Sequence, residues 1–298
     1  MKQLVNKQGE LIPHIGLGTY PFEGKVMADM VKTAVKVGYR LFDTADDYRG
    51  ELGIGMAVRE LNKEGINREE LFLQTKISDN NAHEDEPLKG IYFNPTSEFM
   101  QRHTVAELVR EKVATSLRDM KTDYIDSLLI HYPFPNYIID IWKTMIELKE
   151  LGVVRYIGVS NFHERHIELL ISSTGIMPDI NEVYVSPIGI KKDLVDYCNN
   201  HDILVMPYSP LMDVAHGKIS EERLRSIMEK YNKSMAQVVL RWNIERGCLP
   251  LPKTKNLSRL KENFNVFDFS LTGEEVDMIS SLNYDNQYLV ESKICPGL

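Results

Sequence analysis

The feature that most constrains this chain is an alternation of two kinds of segment. Segments with apolar residues at i+3 and i+4 spacing are typical of amphipathic helices, and they lie at residues 26–37, 52–61, 105–120, 141–151, 166–171 and 235–244. Eight short apolar runs rich in β-branched and aromatic residues predict buried strands, and they lie at residues 15–20, 39–45, 71–77, 124–132, 154–160, 180–186, 203–209 and 248–254. The alternation predicts parallel strands joined by right-handed helical crossovers.

Eight such units can close into an α/β (β/α)8 barrel, or TIM barrel, and a chain of 298 residues suits a single domain of that kind. An open doubly wound sheet is the alternative. Its dinucleotide-binding fingerprint is incomplete, because Gly16-Leu17-Gly18 and Gly53-Ile54-Gly55 lack a third glycine between a strand and a helix. We therefore expect one barrel domain over residues 1–298, with an N-terminal β-hairpin in the stretch QLVNKQGELIP.

One interval of the alternation is unusually long. Residues 78–103 separate the third and fourth predicted strands, and a loop of that length is usually functional or mobile. We expect an insertion beside the carboxyl ends of those strands, where it would cover part of a site. A variable surface segment without a chemical role is the alternative.

Composition limits the classes of partner and compartment. The net charge of −8 opposes binding to nucleic acid, so a small molecule is the expected partner, with neither a membrane nor an obligate protein partner indicated. No apolar run reaches 18 residues, which favours a cytoplasmic protein. Cys198, Cys248 and Cys295 are odd in number and have no CxxC spacing, so neither a disulfide framework nor a zinc site is predicted.

Polar side chains occur at the carboxyl ends of the predicted strands, where barrels of this kind form their active sites. These residues are Asp43, Lys76, His131, Ser160, Asn161, Glu182, Tyr208, Lys253 and Thr254. Taken singly, each also fits a structural role such as a cap, a solvated end or a core histidine. Their clustering on one rim predicts a site there.

Tyr48 follows the second predicted strand closely enough to join that rim. A phenol has a pKa near 10, and a neighbouring ammonium such as Lys76 favours its ionised form. The Asp43 carboxylate would keep the lysine charged and oriented. His131 would donate a hydrogen bond to a carbonyl oxygen while Tyr48 delivers a proton to it. This arrangement predicts proton transfer to a developing alkoxide.

Several longer motifs extend these observations. They are "IGLGTY", "LFDTADDYRGELGIGMAVRE", "LFLQTKI", "DSLLIHYP", "GVVRYIGVSNF", "VMPYSPL", "QVVLRWNIERG" and "LPKTKNLSRLKENFNVFDF". With these motifs in this order, the chain resembles the aldo-keto reductases over nearly its full length. The resemblance implies a (β/α)8 barrel that reduces aldehydes and ketones with NADP(H), or sometimes NAD(H), and without a metal. It implies a catalytic tetrad, which falls on Asp43, Tyr48, Lys76 and His131.

The same resemblance assigns the cofactor contacts. It places Ser160, Asn161 and Glu182 at the nicotinamide carboxamide, with the ring of Tyr208 stacked on the nicotinamide. The remaining implied residues are Ser209 and Leu211 along the pyrophosphate, and Lys253, Thr254, Arg259 and Asn263 around the adenosine and its 2′-phosphate. An arginine grips a phosphate with two parallel hydrogen bonds, so NADP(H) is the preferred cofactor.

Departures from the family pattern fall in the expected pocket. Glu182 stands where the family usually has a glutamine, and an ionised carboxylate only accepts hydrogen bonds. Tyr20 and Tyr132 stand where tryptophans are frequent, which predicts a substrate pocket with aromatic walls and added hydroxyl groups.

Two other functions fit parts of the sequence. An NADP(H)-binding regulatory or scaffold protein would use the 78–103 insertion for docking, but the intact tetrad speaks against it. A metal-dependent hydrolase would need a site built on His163, His166 and the acidic loop His83–Glu86. The two histidines lack HExxH spacing and are better interpreted as the solvated first turn of a helix, and the acidic cluster as a solvated loop. We interpret Asp46 and Asp47 as turn formers, and Glu51 as a charge in the first turn of the next helix.

Overall fold

Seven parallel strands make up the main sheet of the computed structural model, which describes residues 4–5, 11–78, 102–133 and 137–287. Two short segments come first, β1 (Leu4–Val5) and β2 (Leu11–Ile12), and they pair with each other in antiparallel fashion. The sheet then consists of β3 (Gly16–Gly18), β4 (Leu41–Asp43), β5 (Phe72–Ile77), β6 (Ile125–Ile130), β7 (Val154–Ser160), β8 (Ile180–Tyr184) and β9 (Leu204–Tyr208). Each strand pairs with the next in chain order.

The last part of the barrel wall is closed by residues 249–252, which lie between β9 and β3. Leu249 and Leu251 donate backbone hydrogen bonds to β9, and the carbonyls of Pro250 and Pro252 accept hydrogen bonds from β3. A proline has no N–H, so this segment can accept from β3 at those two positions but cannot donate to it. The eighth predicted strand is therefore an extended segment with fewer backbone hydrogen bonds to its neighbours than a regular strand. The prediction of a (β/α)8 barrel is confirmed.

Helices connect the strands and surround them. The described residues form α1 (Gly24–Val37), α2 (Glu51–Lys63), α3 (Val105–Met120), α4 (Ile138–Glu150), α5 (Glu164–Thr174), α6 (Lys192–Asn200), α7 (Met212–Ala215), α8 (Glu221–Tyr231), α9 (Met235–Glu245), α10 (Leu257–Phe264) and α11 (Gly273–Ser280). All six helical segments predicted from periodicity are present, and in this part of the chain none of the helices is long and apolar enough to cross a membrane.

The strands bury two separate sets of side chains because successive residues point to opposite faces. The outward set packs against the helices and forms the larger core. The inward set fills the barrel, and it consists of Leu41, Phe72, Leu129, Tyr156, Ile180, Met206, Leu249 and Leu251, with Ile12 packed against them. Polar inward positions follow two residues later on several strands, as Asp43 follows Leu41. A layer of apolar side chains thus lies inside the barrel below the polar residues at the carboxyl ends of the strands.

Two expectations involve residues outside the described ranges. The pairing of β1 with β2 fits the expected N-terminal hairpin, but the connecting residues 6–10 are not described, so the hairpin stays a prediction. The expected insertion at 78–103 lies outside the described residues over positions 79–101. The assignment of residues 1–298 to a single domain with that insertion also stays a prediction.

The contact between α2 and α3 supplies a test of the fold. A methyl group added at Gly55 would overlap the backbone carbonyl oxygen of Asp119, whereas one added at Gly273 would meet nothing within 4 Å. We expect Gly55→Ala to lower the free energy of unfolding by about 1–3 kcal/mol, because the two helices must move apart. Gly273→Ala, at the first residue of α11, should leave it unchanged or slightly raised. Urea denaturation measures both, and equal stabilities would contradict the close packing.

Candidate active site

A cavity of about 350 Å³ opens at the carboxyl ends of the strands. Its walls combine ionisable, aromatic and small side chains from most strands of the barrel. The lining residues are Gly18, Thr19, Tyr20, Asp43, Asp47, Tyr48, His131, Tyr132, Ser160, Asn161, Glu182, Tyr208, Ser209, Leu251 and Lys253. Three of the four predicted catalytic residues line this cavity, and the fourth, Lys76, is buried behind it.

Lys76 is the only fully buried cation among the described residues of this site. Its side chain has no exposed surface, and Nζ lies 2.6 Å from Asp43 Oδ1 and 3.2 Å from Glu182 Oε1. Nζ also donates to the backbone carbonyl of Thr44 at 3.0 Å. Burial lowers the pKa of Lys76, but Asp43, Glu182 and Tyr48 raise it by more, so it lies well above its usual value. The side chain is therefore an ammonium.

A buried amide joins the two carboxyl groups that face this ammonium. Gln74 Nε2 donates to Asp43 Oδ1 at 2.9 Å and to Glu182 Oε2 at 2.8 Å. Gln74 precedes Lys76 by two positions on β5, so both side chains point into the barrel. Gln74 was not among the residues predicted for the site, although its strand position marked it as an inward neighbour of Lys76.

Tyr48 ends a 3₁₀ turn, Asp46–Tyr48, that directs its ring into the cavity. The ring centroid lies 5.0 Å from Lys76 Nζ and 5.0 Å from the ring centroid of Tyr20. Burial raises the pKa of the phenol, and the Lys76 ammonium acts in the opposite direction, as we expected. The carboxyl groups of Asp43, Glu182 and Asp47 add to the effect of burial, so the net pKa is well above the usual value.

His131 follows β6 and faces the phenol. Its Nε2 lies 3.4 Å from the Tyr48 hydroxyl, and its Nδ1 lies 2.6 Å from the Ser78 hydroxyl. The ring stacks on Tyr132 with centroids 4.4 Å apart. Burial and the Lys76 ammonium hold the pKa of His131 well below its usual value. The imidazole is therefore neutral.

The ends of β7 and β9 supply amide, hydroxyl and aromatic groups. Asn161 Nδ2 donates to the carbonyl of His131 and to Ser160 Oγ, and the Tyr208 hydroxyl donates to Asn161 Oδ1 at 2.9 Å. Asn161 and Ser209 have left-handed φ values of 62° and 49°. Such conformations cost energy outside glycine and cluster at functional sites. These strand ends therefore have the kind of backbone conformation that is typical of functional sites.

Several cofactor residues predicted from the resemblance lie away from the cavity wall. Lys253 lines the cavity, but the other predicted adenosine residues follow it toward and within α10. Arg259 is exposed on that helix, whereas Thr254 and Asn263 are buried. Leu211 is partly buried against the outer core. These four residues are not brought together with the tetrad.

The acidic residues near Tyr48 are more than turn formers. Asp47 lines the cavity, and its Oδ1 lies 3.6 Å from His131 Nδ1. Asp46 pairs with Lys112 of α3 at 2.6 Å. Glu51 is in the first turn of α2 as expected, but it is buried and accepts a hydrogen bond from Thr75 at 2.7 Å. Burial raises the pKa of Glu51 to about 7.

The two histidines considered for a metal have a structural arrangement. His166 is buried, its Nδ1 accepts the backbone N–H of His163 at 3.0 Å, and its ring packs on Phe162. The interpretation of this pair as a helix start agrees with the beginning of α5, but the turn is not solvated at His166. Within the described ranges, no group of three or more His, Cys, Asp or Glu side chains could hold a metal ion.

A model of the aldo/keto reductase family matches residues 14–284, nearly the whole described part of the chain. The chain belongs to the aldo/keto reductase family. It is accordingly an NAD(P)H-dependent oxidoreductase acting on carbonyl groups. The family resemblance inferred from the motifs is confirmed.

Individual relatives agree with this assignment over almost their full length. The chain is 37% identical over 281 residues to the glyoxal reductase of Bacillus subtilis, covering 94% of this chain and 92% of that protein. It is 34% identical over 277 residues to a methylglyoxal reductase of Yersinia pestis, covering 92% and 90%. A solved structure of a Bombyx mori aldo-keto reductase in complex with NADP superposes with a TM-score of 0.82 at 31% identity, covering 98% and 95%.

Proposed function

We propose that this member of the aldo/keto reductase family reduces small, polar aldehydes and ketones to alcohols with NADP(H), and that Tyr48 donates the proton. The observation that carries the proposal is the placement of a phenol between a neutral imidazole and a buried ammonium. The Tyr48 hydroxyl lies 3.4 Å from His131 Nε2, and Lys76 Nζ lies 5.0 Å from its ring centroid. Both neighbours adjoin one cavity, where a carbonyl oxygen would meet the phenol.

The groups around the cavity fit a nicotinamide. A carboxamide both donates and accepts hydrogen bonds. Ser160 at the end of β7, Asn161 directly after it and Glu182 within β8 supply hydroxyl, amide and carboxyl groups. Tyr208 supplies an aromatic face, and its hydroxyl is fixed by Asn161 at 2.9 Å. We assign these four residues to the nicotinamide.

The remaining cofactor residues fit an anionic nucleotide. Lys253 and Arg259 are exposed cations on the segment that closes the barrel and on α10, and the Asn256 side chain caps that helix. A helix N-terminus and exposed cations together favour phosphate groups. We assign Lys253, Thr254, Arg259 and Asn263 to the adenosine and its 2′-phosphate, and Ser209 and Leu211 to the pyrophosphate. The NADP and NADPH complexes of similar structures support this choice.

When bound, the reduced nicotinamide supplies a hydride to the carbonyl carbon. Tyr48 delivers its proton to the carbonyl oxygen as negative charge develops there. Burial makes the phenol a weak acid, and the Lys76 ammonium opposes that effect by favouring the phenolate that remains. Asp43 holds Lys76 in place through its 2.6 Å contact.

His131 would orient the carbonyl group. The Ser78 hydroxyl lies 2.6 Å from Nδ1, and when it donates there, the neutral ring carries its hydrogen on Nε2. Nε2 faces the phenol across the cavity. A carbonyl oxygen that accepts from Nε2–H would therefore lie next to the proton donor.

Small polar carbonyl compounds suit this cavity best. The space of about 350 Å³ must also admit the nicotinamide, and Tyr20 and Tyr132 add aromatic walls beside the carboxyl group of Asp47. The relatives named as glyoxal and methylglyoxal reductases point to the same class. We propose short aldehydes and ketones with a second oxygen near the carbonyl group as substrates.

Replacement of the proposed proton donor tests the reaction. Tyr48→Phe keeps the ring but removes the acidic hydroxyl, so we expect the turnover number to fall by about 10²–10⁴-fold, the usual contribution of a general acid. NADPH binding, followed by fluorescence, should be retained. Tyr20→Phe removes a hydroxyl from the wall of the same cavity and should keep substantial turnover. Full activity of Tyr48→Phe with glyoxal and methylglyoxal would refute the mechanism.

Arg259 tests the choice of cofactor. Because a hydrogen bond to a charged group contributes about 1.5–3 kcal/mol, Arg259→Ala should weaken NADPH binding by about 10- to 100-fold. NADH lacks the 2′-phosphate, so its dissociation constant should change little. Arg225→Ala removes an exposed charge from α8 and serves as the control. Titration calorimetry with both nucleotides measures the effect, and equal losses for NADPH and NADH would contradict the assignment.

A further inference from the structure

The interior of the barrel holds two carboxyl groups for one cation. Asp43 and Glu182 both contact Lys76 Nζ, at 2.6 and 3.2 Å, and among the described residues no other cation forms an ion pair with either carboxyl group. The four side chains of this cluster are nearly or fully buried, with exposed fractions of 4% for Asp43, 2% for Glu182 and 0% for Gln74 and Lys76. If both acids were ionised, the cluster would carry one uncompensated negative charge.

Such a charge is costly at this depth. An unpaired buried carboxylate loses its hydration without full compensation, and proteins avoid the cost by keeping the group protonated. The carboxyl groups of Asp43 and Glu182 contact the same Lys76 Nζ and the same Gln74 Nε2, so they are close neighbours, and two carboxylates placed there would repel. One proton placed between them removes the repulsion and leaves Lys76 paired with one net negative charge.

The donors around the two carboxyl groups indicate which of them keeps its negative charge. Its amide nitrogen has two hydrogens, and its two acceptors are Asp43 Oδ1 and Glu182 Oε2. Asp43 Oδ1 also receives the 2.6 Å contact from Lys76, so Asp43 is the better stabilised carboxylate of the two. Burial and the Asp43 charge raise the pKa of Glu182 well above its usual value, against the opposing effect of Lys76.

We propose that Glu182 is a positioning residue that carries a proton in the working enzyme and is therefore uncharged, as an amide would be. Ionisation of Glu182 then controls the acidity of Tyr48 through Lys76. The effect of Glu182 on turnover rests on the proposed function. The presence of a proton on Glu182 does not. The titratable and charged groups that face Glu182 or share its cavity are Tyr20, Asp43, Asp47, Tyr48, Lys76, His131, Tyr132, Tyr208 and Lys253.

The effect on the phenol follows from the charges around Lys76. While Glu182 is neutral, the ammonium faces one carboxylate and favours the phenolate of Tyr48. When Glu182 loses its proton, a second negative charge faces the same ammonium, and Tyr48 becomes a weaker acid. The rate of reduction therefore depends on pH partly through the ionisation of Glu182.

Infrared spectroscopy of the cofactor-free protein tests for the proton directly. At about pH 9 a solvated carboxyl group is ionised, and so is Glu51, with its pKa of about 7. We expect the carbonyl stretching band of a protonated carboxylic acid to persist in the wild type at that pH. It should be absent from Glu182→Gln and present in Glu51→Gln. Absence of the band from the wild type, or its persistence in Glu182→Gln, would overturn the proposal.

The pH profile of NADPH-dependent reduction tests the link to Tyr48. At neutral pH, the turnover number of Glu182→Gln should lie within about tenfold of the wild-type value. An amide and a neutral acid carry the same charge and differ by about one neutral hydrogen bond. The pH at which reduction declines should shift down by about one unit or more, since no second carboxylate then opposes loss of the phenol proton. Glu51→Gln, a buried acid outside the cavity, should reproduce the wild-type profile.

The possible outcomes separate this proposal from the proposed function. Superimposable profiles for the wild type and Glu182→Gln would overturn the control of Tyr48 even if the infrared band were present. Full turnover of Tyr48→Phe would refute the proposed mechanism and leave the infrared result standing. If Glu182→Gln failed to fold, absence of the band from the wild type at about pH 9 would still overturn the presence of the proton, because the proposal requires a protonated carboxyl group at that pH.

Discussion

The rest of the site depends on the buried ammonium of Lys76. It has no exposed surface, and the Asp43 carboxylate at 2.6 Å is its strongest partner. A cation at this depth is tolerable only when it is paired, and a pair in a barrel interior interacts more strongly than one in water. Because the same ammonium faces Tyr48 and Glu182, the charge states of the phenol and of the second carboxyl group both follow from its position.

The barrel creates this depth through strand alternation. Leu41, Phe72 and Ile180 fill the interior below the site, and the inward positions two residues later on the same strands are Asp43, Gln74 and Glu182. The apolar layer excludes water from beneath Lys76, and the strands fix the polar groups by their register. Tyr48 and His131, in contrast, follow the ends of β4 and β6, where they can meet a ligand. The strands thus hold the charged side chains in place, and the segments that follow the strands carry Tyr48 and His131.

The sequence predicted those parts of the structure that depend on local pattern. Alternating apolar runs located all seven regular strands, and the ends of those runs marked the rim residues. It did not predict Gln74 as a bridge, because that role depends on which side chains lie opposite one another inside a closed barrel. The net rise in the pKa of Tyr48 depends on burial and on three carboxyl groups from separate segments. Helices α6, α7, α8, α10 and α11 were also missed. In α8, for example, the short buried stripe of Leu224 and Ile227 gives a weak periodic signal.

The arrangement of the site requires Lys76 to remain a cation throughout the working pH range of the enzyme. Carbon-13 NMR of protein labelled at the lysine Cε position tests it most directly, with Lys76→Met to identify the signal. We predict that the Lys76 signal keeps the chemical shift of an ammonium from about pH 6 to about pH 10, because its pKa lies above the usual value near 10.4. A titration of that signal with a midpoint below that value would contradict the account.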